Sequence, residues 1–139
     1  SLYNKDYLRS SDSFFEIFNA MISSAYNFNS KEAQTKFLDI FEKKRSLTGE
    51  NSAWNQYRDL ATWLTYFLIN IDISNFHNKN EFLEIISFSL EKMSAEKRLG
   101  YSWEAYSIWQ QHWDDILAVN RKLIKEKLEE KVKNISFIQ

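Results

Sequence analysis

Proline is absent from this 139-residue chain, and glycine occurs twice, at Gly49 and Gly100. No other feature limits the fold as strongly. Hairpins and tight strand connections draw on Gly, Pro and residues that tolerate positive φ. A β architecture with so little turn punctuation is excluded. Apolar residues recur instead at steps of three and four, the spacing of amphipathic helices. The chain reads as all-α: a single-domain bundle of about five helices, without internal repeats or low-complexity tracts.

The length suits one domain that buries a sizeable core. Aromatic residues make up 17% of it, so that core must be built from large rings, each able to bury about 150–250 Å². A first helix is expected from Ser13, where Ser13 and Glu16 have capping-box spacing. Residues 1–12 then form a helical lead-in or a loose arm. A second runs over about 31–45, with Ser30 as N-cap, and its basic end Lys43-Lys44-Arg45 suits the C-terminal pole of the helix dipole. LTGEN, residues 47–51, is a loop. The third helix, about 52–72, contains LATWLTYFLINI between Asp59 and Asp72. Those twelve residues are too few to span a bilayer, which takes roughly 20. They are apolar nearly all round, as suits a helix at the centre of a bundle. A fourth covers about 80–93, with Gly100 as a stop. The fifth, about 102–134, meets no breaker and would reach about 50 Å at 1.5 Å per residue. Its last part, 121–139, is expected to project, to pair with another chain, or to bend back over the bundle.

The absence of cysteine excludes a disulfide scaffold, thiolate-bound zinc and a cysteine nucleophile. It fits a reducing compartment, which favours the cytoplasm. A net charge of −1 supplies no global field for nucleic acid. Two distant glycines allow neither a P-loop nor a dinucleotide fingerprint. No G-x-S-x-G, H-E-x-x-H or Glu-x-x-His occurs, so the serine-hydrolase, metalloprotease and di-iron signatures are missing. The carboxylate pairs Asp39/Glu42, Glu81/Glu84 and Glu126/Glu130 fall on solvated faces, with nothing to raise an acid's pKa. The sequence therefore leans away from catalysis and implies no cofactor or metal. The first residue is Ser1, so a signal or membrane anchor ahead of it stays open.

The stretch GYSWEAYSIWQQHWDD, residues 100–115, holds three of the five tryptophans. On a helical wheel Tyr106, Trp109, Trp113, Ile116, Leu117, Leu123 and Ile124 share one face, with Trp103 at its edge and His112 on the boundary. This spacing is that of core packing. The Trp and Tyr polar handles also suit a ligand pocket or partner groove. Asn120 falls in the middle of the same face. A buried amide left unpaired costs about 1–3 kcal/mol, so it needs a partner: another buried group, a water or a ligand. Trp63, Trp103, Tyr106, Trp109, His112, Trp113 and Asn120 are thus the ligand or partner candidates.

The tail 121–134 carries six basic and three acidic residues opposite an apolar stripe of Leu123, Ile124, Leu128, Val132 and Ile135. It suits amphipathic packing onto the bundle first and a partner helix second, with anionic lipid left open and nucleic acid disfavoured by the acid inside the basic stripe. The leading expectation is a non-catalytic helical interaction domain, a regulator or a small inhibitor of immunity type. Its partner would be another protein, or a second copy held through the C-terminal helix. The Lys/Asn/Ile/Phe bias points to a bacterial source. Two alternatives stand beside it. One is a sensor holding an apolar small molecule in an aromatic-lined pocket between helices three and five. The other is the soluble part of a membrane-anchored protein.

Overall fold

A computed structural model describes residues 5–24, 26–48, 54–96, 101–131, 135, 137 and 138, of which 5–13, 54–55, 93–96 and 101–103 are described by backbone alone. Six α-helices and no strand occur among the described residues: α1 (Lys5–Ser23), α2 (Lys31–Ser46), α3 (Trp54–Asn70), α4 (Lys79–Glu96), α5 (Tyr101–His112) and α6 (Ala118–Glu129). The fold is all-α, as the spacing requires.

The helix starts show which local signals prevail. Ser30 caps α2, its hydroxyl accepting the Ala33 N–H at 3.1 Å. Ser13, by contrast, lies inside α1, which begins at Lys5. No Pro or Gly interrupts residues 5–12, and extending an existing helix is far easier than nucleating a new one. Gly49 and Gly100 lie outside the described residues.

α3 is the centre. Among its residues with described side chains only Tyr66 and Asn70 are exposed. Its principal packing partner is α5, with α2 next. Phe14 stacks on Trp63 (4.7 Å) and Phe18 on Phe67 (5.6 Å). Both pairs advance by one turn together, so α1 and α3 run parallel. Phe67, fully buried, is the hub of the ring packing. Phe18, Phe28, Phe37, Phe41, Phe76 and Phe82 all lie 5.1–6.4 Å from it, centroid to centroid. Most of these pairs are tilted or edge-on, the arrangement favoured by the ring quadrupole and worth about 0.5–1.5 kcal/mol per pair beyond area burial.

The C-terminal region expected as one long helix is divided. α5 ends at His112 and is followed by a 3-10 turn, Trp113–Asp115, after which Ile116 is extended (φ −64°, ψ 141°) and α6 begins at Ala118. No proline or glycine marks the break. Its cause is tertiary: the Leu117 N–H, which a continuous helix would direct at its own preceding turn, donates to the Leu68 carbonyl of α3 at 3.2 Å. The bend sends α6 back across α4, where Ile124 and Leu128 are buried. The described residues after Ala118 accordingly do not project: beyond Ile124 and Leu128, Ile135 and Ile138 are buried in the main core as well.

Glu84 on α4 fastens the end of α6. It accepts from Lys131 and pairs with Lys127 Nζ at 3.2 Å. Lys131 first, then Lys127, hold the Glu84 carboxyl below its ordinary 4.5, while Glu84 holds Lys131 above 10.5. A depressed carboxyl stabilises the fold above pH 4.5 and loses that contribution as pH falls through its folded value. A raised ammonium contributes below pH 10.5 and loses its share as pH rises beyond that. The difference in unfolding free energy between wild type and Glu84→Gln is therefore expected to be largest at neutral pH. It should diminish as pH falls below 4.5 and shrink in 1 M salt. Chemical denaturation at pH 3 and 7 checks this; an unchanged difference at pH 3 removes the latch.

Candidate functional site

The structure gathers most of the sequence-predicted residues inside the bundle. Trp109 and Asn120 are fully buried, and Trp63, Tyr106 and Trp113 nearly so. Trp109 Nε1 donates to Ser89 Oγ on α4 at 3.0 Å. Tyr106 and Trp113 both meet the edge of Phe137, at 5.2 and 6.1 Å. Trp63 stands apart from that group, on the other side of α3 between Phe14 and Lys44. His112 is half-buried at the boundary, its Nδ1 3.8 Å from Asp115. Trp103 belongs to α5, but its side chain lies outside the described residues.

Asn120 is used in full by the chain itself. Its Nδ2 donates to the carbonyls of Leu68 (2.9 Å) and Ile71 (2.7 Å), and its Oδ1 accepts the Ile73 N–H at 3.0 Å. The last carbonyls of a helix have no partner within that helix. One side chain from α6 therefore caps α3 and turns the chain into the 71–78 connection. Gln34 holds the other end of that connection: its Oε1 accepts the His77 N–H at 2.8 Å, and its Nε2 donates to the Phe28 carbonyl at 3.3 Å.

A buried ion pair was not anticipated from the sequence. Lys44 Nζ of α2 lies 3.2 Å from Asp59 Oδ2 and 3.0 Å from Gln56 Oε1, both on α3. It also sits 4.6 Å from the centre of the Trp63 ring. The Lys44 and Asp59 side chains are 8% and 4% exposed. Charges this deep need partners on every side. Carboxylate, amide and π-face here supply them, while Trp63 Nε1 remains buried without a hydrogen-bond partner. A signal was available: Ala33, Phe37, Phe41 and Lys44 form one continuous stripe at helical spacing. Assigning Lys44 to the helix dipole overlooked it.

At the surface, three rings from three helices form a row. Phe15 of α1 meets Tyr66 of α3 at 4.8 Å, and Tyr66 meets His112 of α5 at 6.2 Å. Tyr66 is 39% exposed and Ile22, seven residues after Phe15 on the same face of α1, is 37% exposed. Tyr26 adds a further exposed ring just beyond α1. α1 carries apolar residues over an arc wider than α3 covers.

No known protein family, curated protein or solved structure matches this chain. Its own surface must then carry the functional reading. Among the described residues no group of three or more His, Asp or Glu side chains is placed to hold a metal ion. The outer face of α6 forms an open hollow of about 480 Å³ lined by Ala118, Arg121, Lys122, Lys125, Glu126 and Glu129. Two acids stand beside its three cations, so the net charge left to attract nucleic acid or lipid is small. The apolar stripe of the C-terminal region packs inward, Ile124 and Leu128 of α6 and Ile135 after it being buried in the core, so it is not free to carry the partner or self-association contact expected of the C-terminal helix.

Proposed function

We propose that this chain is a non-catalytic helical domain that binds a partner protein, as a regulator or an immunity-type inhibitor. The binding face is the one formed by Phe15, Ile22, Tyr66 and His112. The observation that carries this reading is the row of rings across α1, α3 and α5, with Tyr66 left exposed between the half-buried Phe15 and His112 and the exposed Ile22 on the same side of α1. Aromatic residues concentrate in protein interfaces because they offer large rigid area with a polar edge. The sensor alternative has less support, since the Asn120 amide and the Trp109 N–H, which would orient a ligand, are spent on Leu68, Ile71, Ile73 and Ser89. Among the described residues no helix is long and apolar enough to cross a membrane.

The test is site-specific photocrosslinking in the host cell. A photoreactive phenylalanine analogue at position 66 is expected to capture one discrete protein. The same analogue at the exposed Thr35 of α2 is expected to capture none. Identical patterns at the two positions would count against the reading. Tyr66→Asp should weaken binding of the captured partner at least about 30-fold, the effect of an interface hot spot of about 2 kcal/mol. It should lower unfolding free energy by only about 1–2 kcal/mol, the worth of its ring contacts with Phe15 and His112, and leave the domain folded by circular dichroism.

A further inference from the structure

We infer that the partner of the Phe15–Tyr66–His112 face docks an arginine side chain at Asp115, with its stem across Tyr66 and its guanidinium on the carboxylate. The inference rests on that face being the binding surface, and adds the charge its partner brings. Asp115 Oδ2 lies 3.8 Å from His112 Nδ1, at the end of the row of rings, and the Asp115 side chain is 66% exposed. That separation is too long for a hydrogen bond, so the carboxylate keeps its acceptor sites for a donor from outside. Tyr66, whose ring centre is 6.2 Å from that of His112, is 39% exposed.

The charge at this end of the face follows from helix direction. Arg58 of α3 pairs with Glu104 of α5 at 3.5 Å, and eight residues further along each helix Tyr66 meets His112. α5 therefore runs parallel to α3, as α1 does. The helices of the face end together, at Ser23, Asn70 and His112. A helix C-terminus carries about half a negative charge. Neither α1 nor α3 has a basic residue in its last turn to offset it. Asn120 caps carbonyls at the end of α3 with an uncharged amide. Exposed Asp72, Asp114 and Asp115 follow these ends, and Arg121 Nη1, 3.9 Å from Asp114, offsets one of them. The face is thus ringed along the middle and negative at one end.

A guanidinium suits this pairing better than an ammonium. It is planar, stacks on aromatic rings and meets a carboxylate with two parallel N–H donors, while its alkyl stem covers apolar surface on the way. Arg and Tyr are also among the residues that dominate interface energetics. Tyr66→Asp removes the ring under that stem, whereas a change at Asp115 acts on the charge alone.

Charge variants separate this inference from the partner face itself. With the photoreactive analogue at position 66, Asp115→Lys should lower the yield of captured partner at least about 10-fold, and Asp115→Asn at least about 3-fold, as for loss of a charge pair across an interface. Glu129→Lys makes the same change of charge as Asp115→Lys on the exposed outer face of α6. Its position is about 12 Å along the helix from Arg121, beyond the screening length of about 8–10 Å, and capture should stay within about 2-fold. Undiminished capture by an Asp115→Lys chain that is folded by circular dichroism overturns the arginine and leaves the face standing. No capture by the parent chain at position 66 overturns the face and the inference together. A second arm needs no partner. Nα-acetyl-arginine amide at millimolar concentration should shift the Tyr66 and Asp115 amide resonances of the full chain in a saturable way. Asp115→Asn should weaken that binding about 3-fold, the worth of an exposed ion pair. The citrulline counterpart, of like shape without the charge, should not saturate. Equal titrations by the two amides overturn the inference.

Discussion

Asn120→Ala should cost about 3–5 kcal/mol of unfolding free energy, measured by chemical denaturation. The substitution removes three hydrogen bonds at once, yet their losses are unequal. The Leu68 carbonyl keeps the Leu117 N–H. The Ile71 carbonyl and the Ile73 N–H lose the amide that caps them. Each buried group left without a partner costs about 1–3 kcal/mol, and the missing side chain adds a small void at a fully buried position. Asn120→Asp separates the hydrogen bonding from the packing. Its shape is nearly unchanged, but an oxygen replaces the nitrogen that faces two carbonyls. Burial against those carbonyls disfavours the ionised form and raises the folded pKa above the unfolded value of about 3.9. Stability then falls as pH rises from the unfolded pKa towards the folded one. Asn120→Asp should therefore be closer to wild type at pH 4 than at pH 7. A loss below 1 kcal/mol for Asn120→Ala would show that the cap is not what holds α3 to α6.

The same residue explains what the sequence could and could not disclose. Asn120 stood out because it interrupts an apolar face, and the need for a buried partner followed from desolvation alone. Which partner it takes depends on α3 ending 50 residues earlier, at Asn70, and periodicity within a single helix carries no such information. The division of the C-terminal helix was hidden for a related reason. Nothing local disfavours helix across Trp113–Leu117; the Leu68 carbonyl competes for the Leu117 N–H from another element. The central placement of α3, by contrast, was legible, because a helix apolar on most sides has only one place to go. The ring row was partly legible. Tyr66 lies off the main stripe of α3, and Phe15 flanks the main stripe of α1. Their meeting with His112 requires the three-helix arrangement.

Asp59→Ala should be as damaging as Asn120→Ala, at about 3–5 kcal/mol. It strands the Lys44 ammonium in the interior beside Gln56 and the Trp63 face, without its counter-ion. A buried charge that loses its counter-ion costs this much, because desolvation is no longer offset. Lys44→Met is the informative companion. It removes the cation and leaves the buried carboxylate without that counter-ion, so it too should be costly. Removing both charges should not be. In Lys44→Met/Asp59→Leu neither ion is desolvated, and the replacements continue the stripe begun by Ala33, Phe37 and Phe41. The double variant should recover at least half of the Asp59→Ala loss, and a cycle closed with Asp59→Leu and Lys44→Met as its single variants should depart strongly from additivity, as for residues in direct contact. Strictly additive losses would mean that the two charges do not sense each other. If the double variant matches wild-type stability, the pair contributes nothing net. Its role is then to fix how α2 sits on α3, since Lys44 can meet Asp59 and Gln56 together in one register only. That outcome would be read in sharper amide spectra for wild type than for the apolar double variant at equal stability.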